Sequence, residues 1–298
     1  MADGLTWDDR PELNQPVLVA AFSGWNDAGD AATGAADWLV RQGTAHRIAS
    51  IDPDEHVDYQ ARRPQVEVVD GIARSITWPA NECYAATFRE RDLVVVRGVE
   101  PNLRWKSFCN AVMTVASETG CDMVVTLGAL LGDVPHTRPV RVTGTTTDPS
   151  LDGQLDLIRS RYEGPTGIVG VLHDACQTAG MRSASLWAPV PHYVATPPSP
   201  PATRALLERF GTLAGLALNF QGLDQLAELW RLQVDRAIAD NDEVTTYVRE
   251  LETRIDAEDA VERGTLLGEH PAGGGSAPSA DDLVDEVEQF LREQEGNG

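Results

Sequence analysis

Pro16-Val17-Leu18-Val19-Ala20-Ala21-Phe22-Ser23-Gly24-Trp25-Asn26-Asp27-Ala28 decides how this chain reads. From Pro16 to Phe22 it is apolar without a break. That run is short for a helix and lacks the polar alternation of a half-exposed strand, so it reads as a strand covered on both faces. Ser23-Gly24 ends it. A helix follows at once, with Ala28, Ala32, Ala35 and Leu39 at helical spacing, and Asn26 or Asp27 offers a side-chain acceptor to the open amides of its first turn. Strand, polar turn and small-residue helix are the opening of a βαβ unit.

The same grammar recurs downstream. Leu93 to Val96 is an apolar strand, Gly98-Val99-Glu100-Pro101-Asn102 its turn, and Phe108, Ala111, Val112 and Val115 mark a helix face. Met123 to Leu127 predicts a third strand and Ile168 to Leu172 a fourth, ended by His173-Asp174, which caps the helix after it. Apolar strands alternating with amphipathic helices predict an α/β layered sheet rather than a sandwich or a bundle. Two segments interrupt the alternation. Val66 to Ile76 reads as two short strands about Asp70-Gly71, and the β-branched stretch Val140 to Thr146 adds a strand near the sheet edge.

Beyond Pro189 a proline-marked connection (Pro191, Pro197, Pro198, Pro200, Pro201) leads into purely helical periodicity. Leu206, Phe210 and Leu213, then Leu223, Trp230 and Val234, then Val244, Tyr247 and Leu251 each trace one helix face. His270 to Ser279 is a Gly/Pro/Ser linker, and Ser279 with Asp282 resembles a capping box ahead of Leu283, Val287 and Phe290. The expected organisation is an α/β core over 1–200 with a hairpin insertion near 64–80, a helical unit over 201–265, a flexible linker over 266–280 and an acidic tail helix over 281–298. The tail is expected to dock a protein partner and to be dispensable for folding.

At 298 residues, 42% hydrophobic and 23% charged, the chain has the composition of a globular protein with a real core. Its 24 basic residues face 46 acidic ones, a formal net charge of −22. Such a surface repels phosphate backbones and anionic membranes, so neither nucleic acid nor a membrane is an expected partner. Cys83, Cys109, Cys121 and Cys176 match neither a metal-binding or redox pair nor a disulfide framework and read as buried thiols of a reducing compartment. The Met-Ala-Asp-Gly start lacks signal-peptide character, and Met123 to Gly132 is too short to span a bilayer, so the expected location is cytoplasmic.

Ligands of open α/β sheets bind outside the carboxyl ends of the strands. The loops there supply the candidate ligand-binding set: Gly24, Trp25, Asn26 and Asp27 in the first, Glu100 and Arg104 in the second, and Gly128, Asp133 and His136 around the third. A His with two carboxylates can do general acid/base work, and an Arg can hold a carboxylate or phosphate. The bland reading of Asn26 and Asp27 is a helix cap, that of His136 a polar surface loop. Cys176 beside His173 has the spacing of a thiol and its base, and also that of an ordinary helix turn. Neither a dinucleotide fingerprint nor a Walker loop occurs, and no metal-ligand spacing appears, so no cofactor and no metal are expected.

The string Ala20-Ala21-Phe22-Ser23-Gly24-Trp25-Asn26-Asp27-Ala28-Gly29-Asp30-Ala31-Ala32 resembles the opening signature of the proteasome assembly chaperone 2 family. Arg62-Arg63-Pro64, Val69-Asp70-Gly71, Thr77-Trp78-Pro79, Gly98-Val99-Glu100-Pro101-Asn102, the stretch Leu127 to Pro139 and Gly164-Pro165-Thr166-Gly167-Ile168 extend the resemblance from about residue 15 to about 260. It is similar to the bacterial branch, most members of which have no assigned activity. The resemblance implies a three-layer α/β core like that of nucleoside phosphorylases and peptidyl-tRNA hydrolases, a hairpin used in oligomerisation, a C-terminal helical lid over a pocket, and a homotrimer. Family members that engage proteasomes end on a hydrophobic residue, Tyr and any residue. This sequence ends Gly296-Asn297-Gly298, so docking into a proteasome ring is not expected from that ending. Two functional classes follow: a non-catalytic oligomeric assembly or ligand-binding protein, and a small-molecule enzyme of phosphorylase or hydrolase type with its pocket at the strand ends.

Overall fold

The apolar run around Val19 becomes the middle strand of a nine-stranded sheet. A computed structural model describes residues 4–69, 73–152, 158–159, 163–194 and 196–266. The chain enters through β1 (Leu5–Trp7) and β2 (Val17–Ser23), crosses one face as α1 (Ala31–Gln42) and returns as β3 (Thr44–Ile51). A single turn, α2 (Pro53–His56), leads to β4 (Gln65–Val69) and β5 (Ala73–Thr77), which pair only with each other. Then come β6 (Asn81–Thr87), β7 (Asp92–Val99), α3 (Trp105–Glu118) and β8 (Met123–Gly132). Short pieces follow, β9 (Thr143–Thr146), α4 (Pro149–Asp152) and β10 (Ile158–Arg159), before α5 (Ile168–Thr178), β11 (Ser183–Pro191), α6 (Pro200–Ala214), α7 (Gln221–Ile238) and α8 (Asp242–Leu266).

The sheet order is β1-β3-β6-β7-β2-β8-β11-β9-β10, with β7, β2, β8 and β11 parallel at its centre, antiparallel pairs from β1 through β3 and β6 to β7 and between β11 and β9, and a short parallel β9/β10 pair at the far edge. Successive side chains of a strand point to opposite faces, and β2 is apolar throughout because both faces are roofed. Val17, Val19 and Ala21 pack with Ala32, Ala35 and Leu39 of α1 and with Leu206 and Phe210 of α6. Leu18, Ala20 and Phe22 pack with Phe108 and Val112 of α3 and with Ile168 and Leu172 of α5. The result is a three-layer α/β fold. Among the described residues, no helix is long and apolar enough to cross a membrane.

Three sequence expectations differ from the structure. Ile168 to Leu172 is not a strand: it opens α5, whose buried Ile168, Val169, Leu172 and Cys176 follow helical spacing. A five-residue apolar run cannot by itself separate a buried strand from a buried helix turn. His173 and Asp174 therefore lie inside α5 rather than capping it. The fourth parallel strand is β11, whose serines and prolines hide it from periodicity. The predicted edge strand is shorter than Val140 to Thr146 and starts at Thr143.

The hairpin forms where expected, with Val66 opposite Ile76 and Val68 opposite Arg74; Asp70 and Gly71 lie outside the described residues. Among the described residues, those up to 252 form one compact unit and those from 253 a second. α6 joins the sheet: Ala202, Leu206, Leu207, Phe210 and Ala214 are buried in the core, and Thr203 donates to the Ala31 carbonyl at 3.2 Å. The linker and tail expected over 266–298 lie outside the described residues, except for Leu266, the last residue of α8.

Candidate functional site

β2 and β7 are parallel neighbours whose following helices roof opposite faces, α1 on one and α3 on the other. Such divergence opens a crevice at the carboxyl ends of the strands. Glu100, the residue after β7, bridges it. Its Oε1 accepts from Asn26 Nδ2 at 2.6 Å and from the Ile168 amide at 3.0 Å, and its Oε2 from the Trp25 amide at 3.2 Å. A carboxylate on the first amide of α5 also complements the helix dipole. Gly24 permits this closeness: its φ is 145°, and a Cβ there would lie 3.1 Å from Glu100 Oε2. Gly167 does so from the other side, where a Cβ would fall 2.2 Å from Asn26 Oδ1. Asn26 is wholly buried, and that Oδ1 has no hydrogen-bond partner. Arg62 adds a cation, its Nη1 donating to Ser23 Oγ at 2.6 Å.

Asp27 belongs to α1. Its Oδ1 accepts from the amides of Ala32 (2.7 Å) and Thr33 (3.1 Å), and its Oδ2 accepts from the Thr33 hydroxyl. Of the two cap candidates, Asp27 caps and Asn26 does not. Burial pushes the Asp27 carboxyl above its ordinary value, and the hydrogen bonds from Thr33 and Ala32 pull it back.

His136 sits in a different cluster. Its side chain is fully buried, with Nε2 3.0 Å from Asp235 Oδ1 on α7 and Nδ1 2.8 Å from the Tyr193 hydroxyl. A carboxylate only accepts, so Nε2 carries the proton of that hydrogen bond, and Nδ1 shares the other with the Tyr193 hydroxyl. The Tyr193 oxygen accepts from the His136 amide at 2.8 Å, Trp230 packs edge-on to the ring, and Arg231 holds Asp235 at 2.9 Å. Burial pushes the Tyr193 phenol up to about 12. The two ring nitrogens thus fix the loop around His136 to α7 through Asp235 and to the 192–194 turn through Tyr193.

The remaining candidates also have their own partners. Arg104 pairs with Glu55, Asp133 with His192 at 3.2 Å, and Gly128 lies opposite Trp187 across the β8/β11 pair. Of the sequence-derived set, then, Gly24, Trp25, Asn26 and Glu100 meet, while Asp27, Arg104, Gly128, Asp133 and His136 are engaged elsewhere. Four residues outside the set complete the two clusters: Ser23, Arg62, Tyr193 and Asp235. Arg62 stood out only through its Arg-Arg-Pro string, and nothing local marks Asp235, 99 positions from His136.

The thiol reading also fails geometrically. Cys176 is wholly buried, burial pushes its thiol up to about 11, and His173 instead places Nδ1 3.1 Å from Ser183 Oγ. A thiol held protonated is a poor nucleophile. Among the described residues, no group of three His, Cys, Asp or Glu side chains is arranged to hold a metal ion.

The PAC2 family model matches residues 21–238. A PAC2 family protein from Streptomyces avermitilis is similar at 48% identity over 78% of this chain and 99% of its own, with a TM-score of 0.73. A Mycobacterium tuberculosis proteasome-assembly chaperone homologue is similar at 44% identity over 78% and 99%, with a TM-score of 0.72. An archaeal proteasome activator from Pyrococcus furiosus, 18% identical over 78% and 97%, shares the fold at a TM-score of 0.63. No curated protein matches the sequence. With the family model spanning most of its length and the crevice built from the signature residues Ser23 to Asn26 and Glu100, the chain belongs to the PAC2 family.

Proposed function

We propose that this protein is a non-catalytic, homo-oligomeric assembly protein, trimeric, that associates through its hairpin and keeps the Glu100 crevice as a ligand-binding feature. The observation that carries the reading is the face of the β4/β5 ribbon. Val66 and Val68 lie on one side of β4, Ile76 on the same side of β5, and Trp78 follows it; each is more than half exposed. A two-stranded ribbon is marginal alone and buries such a face against a partner. The 44% identical relative from Mycobacterium tuberculosis is described as a proteasome-assembly chaperone homologue, which supports the assembly reading. The alternative, a phosphorylase- or hydrolase-type enzyme at the strand ends, would rest on Glu100 and His136, and these side chains already hold three donors and two partners.

Light scattering on a sizing column tests the assembly. Wild type is expected at about three times the 32.2 kDa chain mass, and Val68→Asp at the monomer mass, folded by circular dichroism, with a melting temperature that no longer rises with protein concentration. A monomeric wild type, or a Val68→Asp variant that keeps the wild-type mass, overturns the reading.

A further inference from the structure

We infer that the outward face of α7 is a docking site for an acidic amphipathic helix, and that residues 281–295 of this chain are the segment that fills it; the contact does not depend on the hairpin. α7 already buries Leu223, Trp230 and Val234. It carries a second apolar face, because Leu226, Leu229 and Leu232 are 55%, 57% and 38% exposed. At about 100° per residue these leucines share one side of the helix with Gln225, Gln233 and Arg236. In a chain of net charge −22, that side holds no acid. The acids of α7 stand on another side, where Arg204 holds Asp224 at 2.7 Å and Arg231 holds Glu228 and Asp235 at 2.7 and 2.9 Å. At its N-terminal end the leucine stripe runs into a groove of about 420 Å³, where Gly222 and Leu226 meet Trp38 and Arg41 of α1. Neither Arg41 nor Arg236 has a carboxylate partner among the described residues. A contiguous apolar stripe rimmed by polar and cationic groups marks an interaction surface.

Charge selects the occupant. A second copy of α7 laid antiparallel on the first would bring Arg236 of each helix toward the Arg41 end of the other, so like charges would meet. Residues 281–295, which lie outside the described residues, carry the opposite sign. They hold seven acids against one arginine, with Leu283, Val287 and Phe290 at helical spacing. A helix of about four turns is marginal alone in water and is stabilised by burying such a stripe. The Gly/Pro/Ser-rich composition of residues 267–280 supplies the tether. A flexible chain of that length has a root-mean-square span of about 20 Å, and it presents its end to a surface within reach at about millimolar effective concentration. Even a weak helix-on-helix contact is therefore populated without a second protein.

Hydrogen exchange of the full-length protein tests the contact, because it reads the tail amides directly. In wild type the amides of residues 283–291 are expected to exchange at least about ten times more slowly than those of an unstructured chain. Leu229→Glu sets an acid in the middle of the stripe. It is expected to return the tail to unprotected exchange while the mass by light scattering stays that of wild type. Arg236→Glu, at an exposed position, repeats the test should Leu229→Glu fail to fold by circular dichroism. A wild-type tail that exchanges as an unstructured chain overturns the docking. Protection that survives both α7 variants places the tail on another surface and overturns the assignment to α7. A Leu229→Glu variant of lower mass, with the tail unprotected in both proteins, gives the stripe to a second copy instead.

Discussion

Glu100 shows how one side chain joins elements that are far apart in sequence. Its carboxylate holds the β2–α1 turn through Asn26 and Trp25 and caps α5 through Ile168, 68 positions away. Glu100→Ala strands these donors, and unmade hydrogen bonds to a charged group cost roughly 1 to 3 kcal/mol. A fall in melting temperature of about 2 to 12 °C is expected on that basis; Glu100→Gln, which keeps one acceptor, should fall less. His56 sets a pH dependence at the same scale. It is wholly buried against Phe108, its Nε2 has no partner, and burial lowers its pKa below the ordinary 6.5. The unfolded chain takes up this proton more readily than the folded one, so stability is full above about pH 6.5 and is lost as the pH falls below it. His173, also lowered by burial, acts in the same direction. Melting curves between neutral and mildly acidic pH check this: His56→Leu should show a shallower loss than wild type.

Among the elements, α6 is the one whose place changes the architecture. It follows the prolines that suggest a linker, yet it buries Leu206, Leu207 and Phe210 against the face of the sheet that α1 also covers. A helix lying over a pocket would tolerate truncation of its inner face. A core helix does not, and Phe210→Ala is expected to cost about 3 to 5 kcal/mol. Chemical denaturation would resolve this easily, and a change below roughly 1 kcal/mol, within the usual range of surface substitutions, would show that α6 is not part of the core. The hairpin is the opposite case: its outward apolar face adds nothing to the stability of a single chain, so Val68→Asp is expected to leave the chain folded and to lose only the part of the melting temperature that assembly supplies.

For the molecule as a whole, the net charge of −22 acts on folding and assembly alike. Self-repulsion opposes the compact state and the approach of a second copy, and salt screens it over about 8 to 10 Å at physiological ionic strength. Raising sodium chloride from a few millimolar to the physiological range should therefore raise the melting temperature, even though the surface ion pairs, such as Arg47 with Asp8, weaken. A melting temperature that falls over this range would mean that the ion pairs outweigh the net repulsion.

The sequence alone determined β2, α1, β7, α3, β8 and the hairpin, since each carries its burial pattern within a few residues: a run closed on both faces, a helical stripe, or a turn signal between short strands. It also marked the strand-end turns as the place for polar side chains, and Gly24, Trp25, Asn26 and Glu100 do meet there. Tertiary structure alone decided that Ile168 to Leu172 winds into α5, that β11 takes the fourth parallel position, that α6 joins the core, and that His136 is bound by Tyr193 and Asp235 instead of facing the crevice. Those outcomes depend on partners tens of residues distant. Local spacing specifies which faces must be buried, while the choice of what buries them, and of which donors a carboxylate or an imidazole reaches, is made by the packing of elements the chain brings together only on folding.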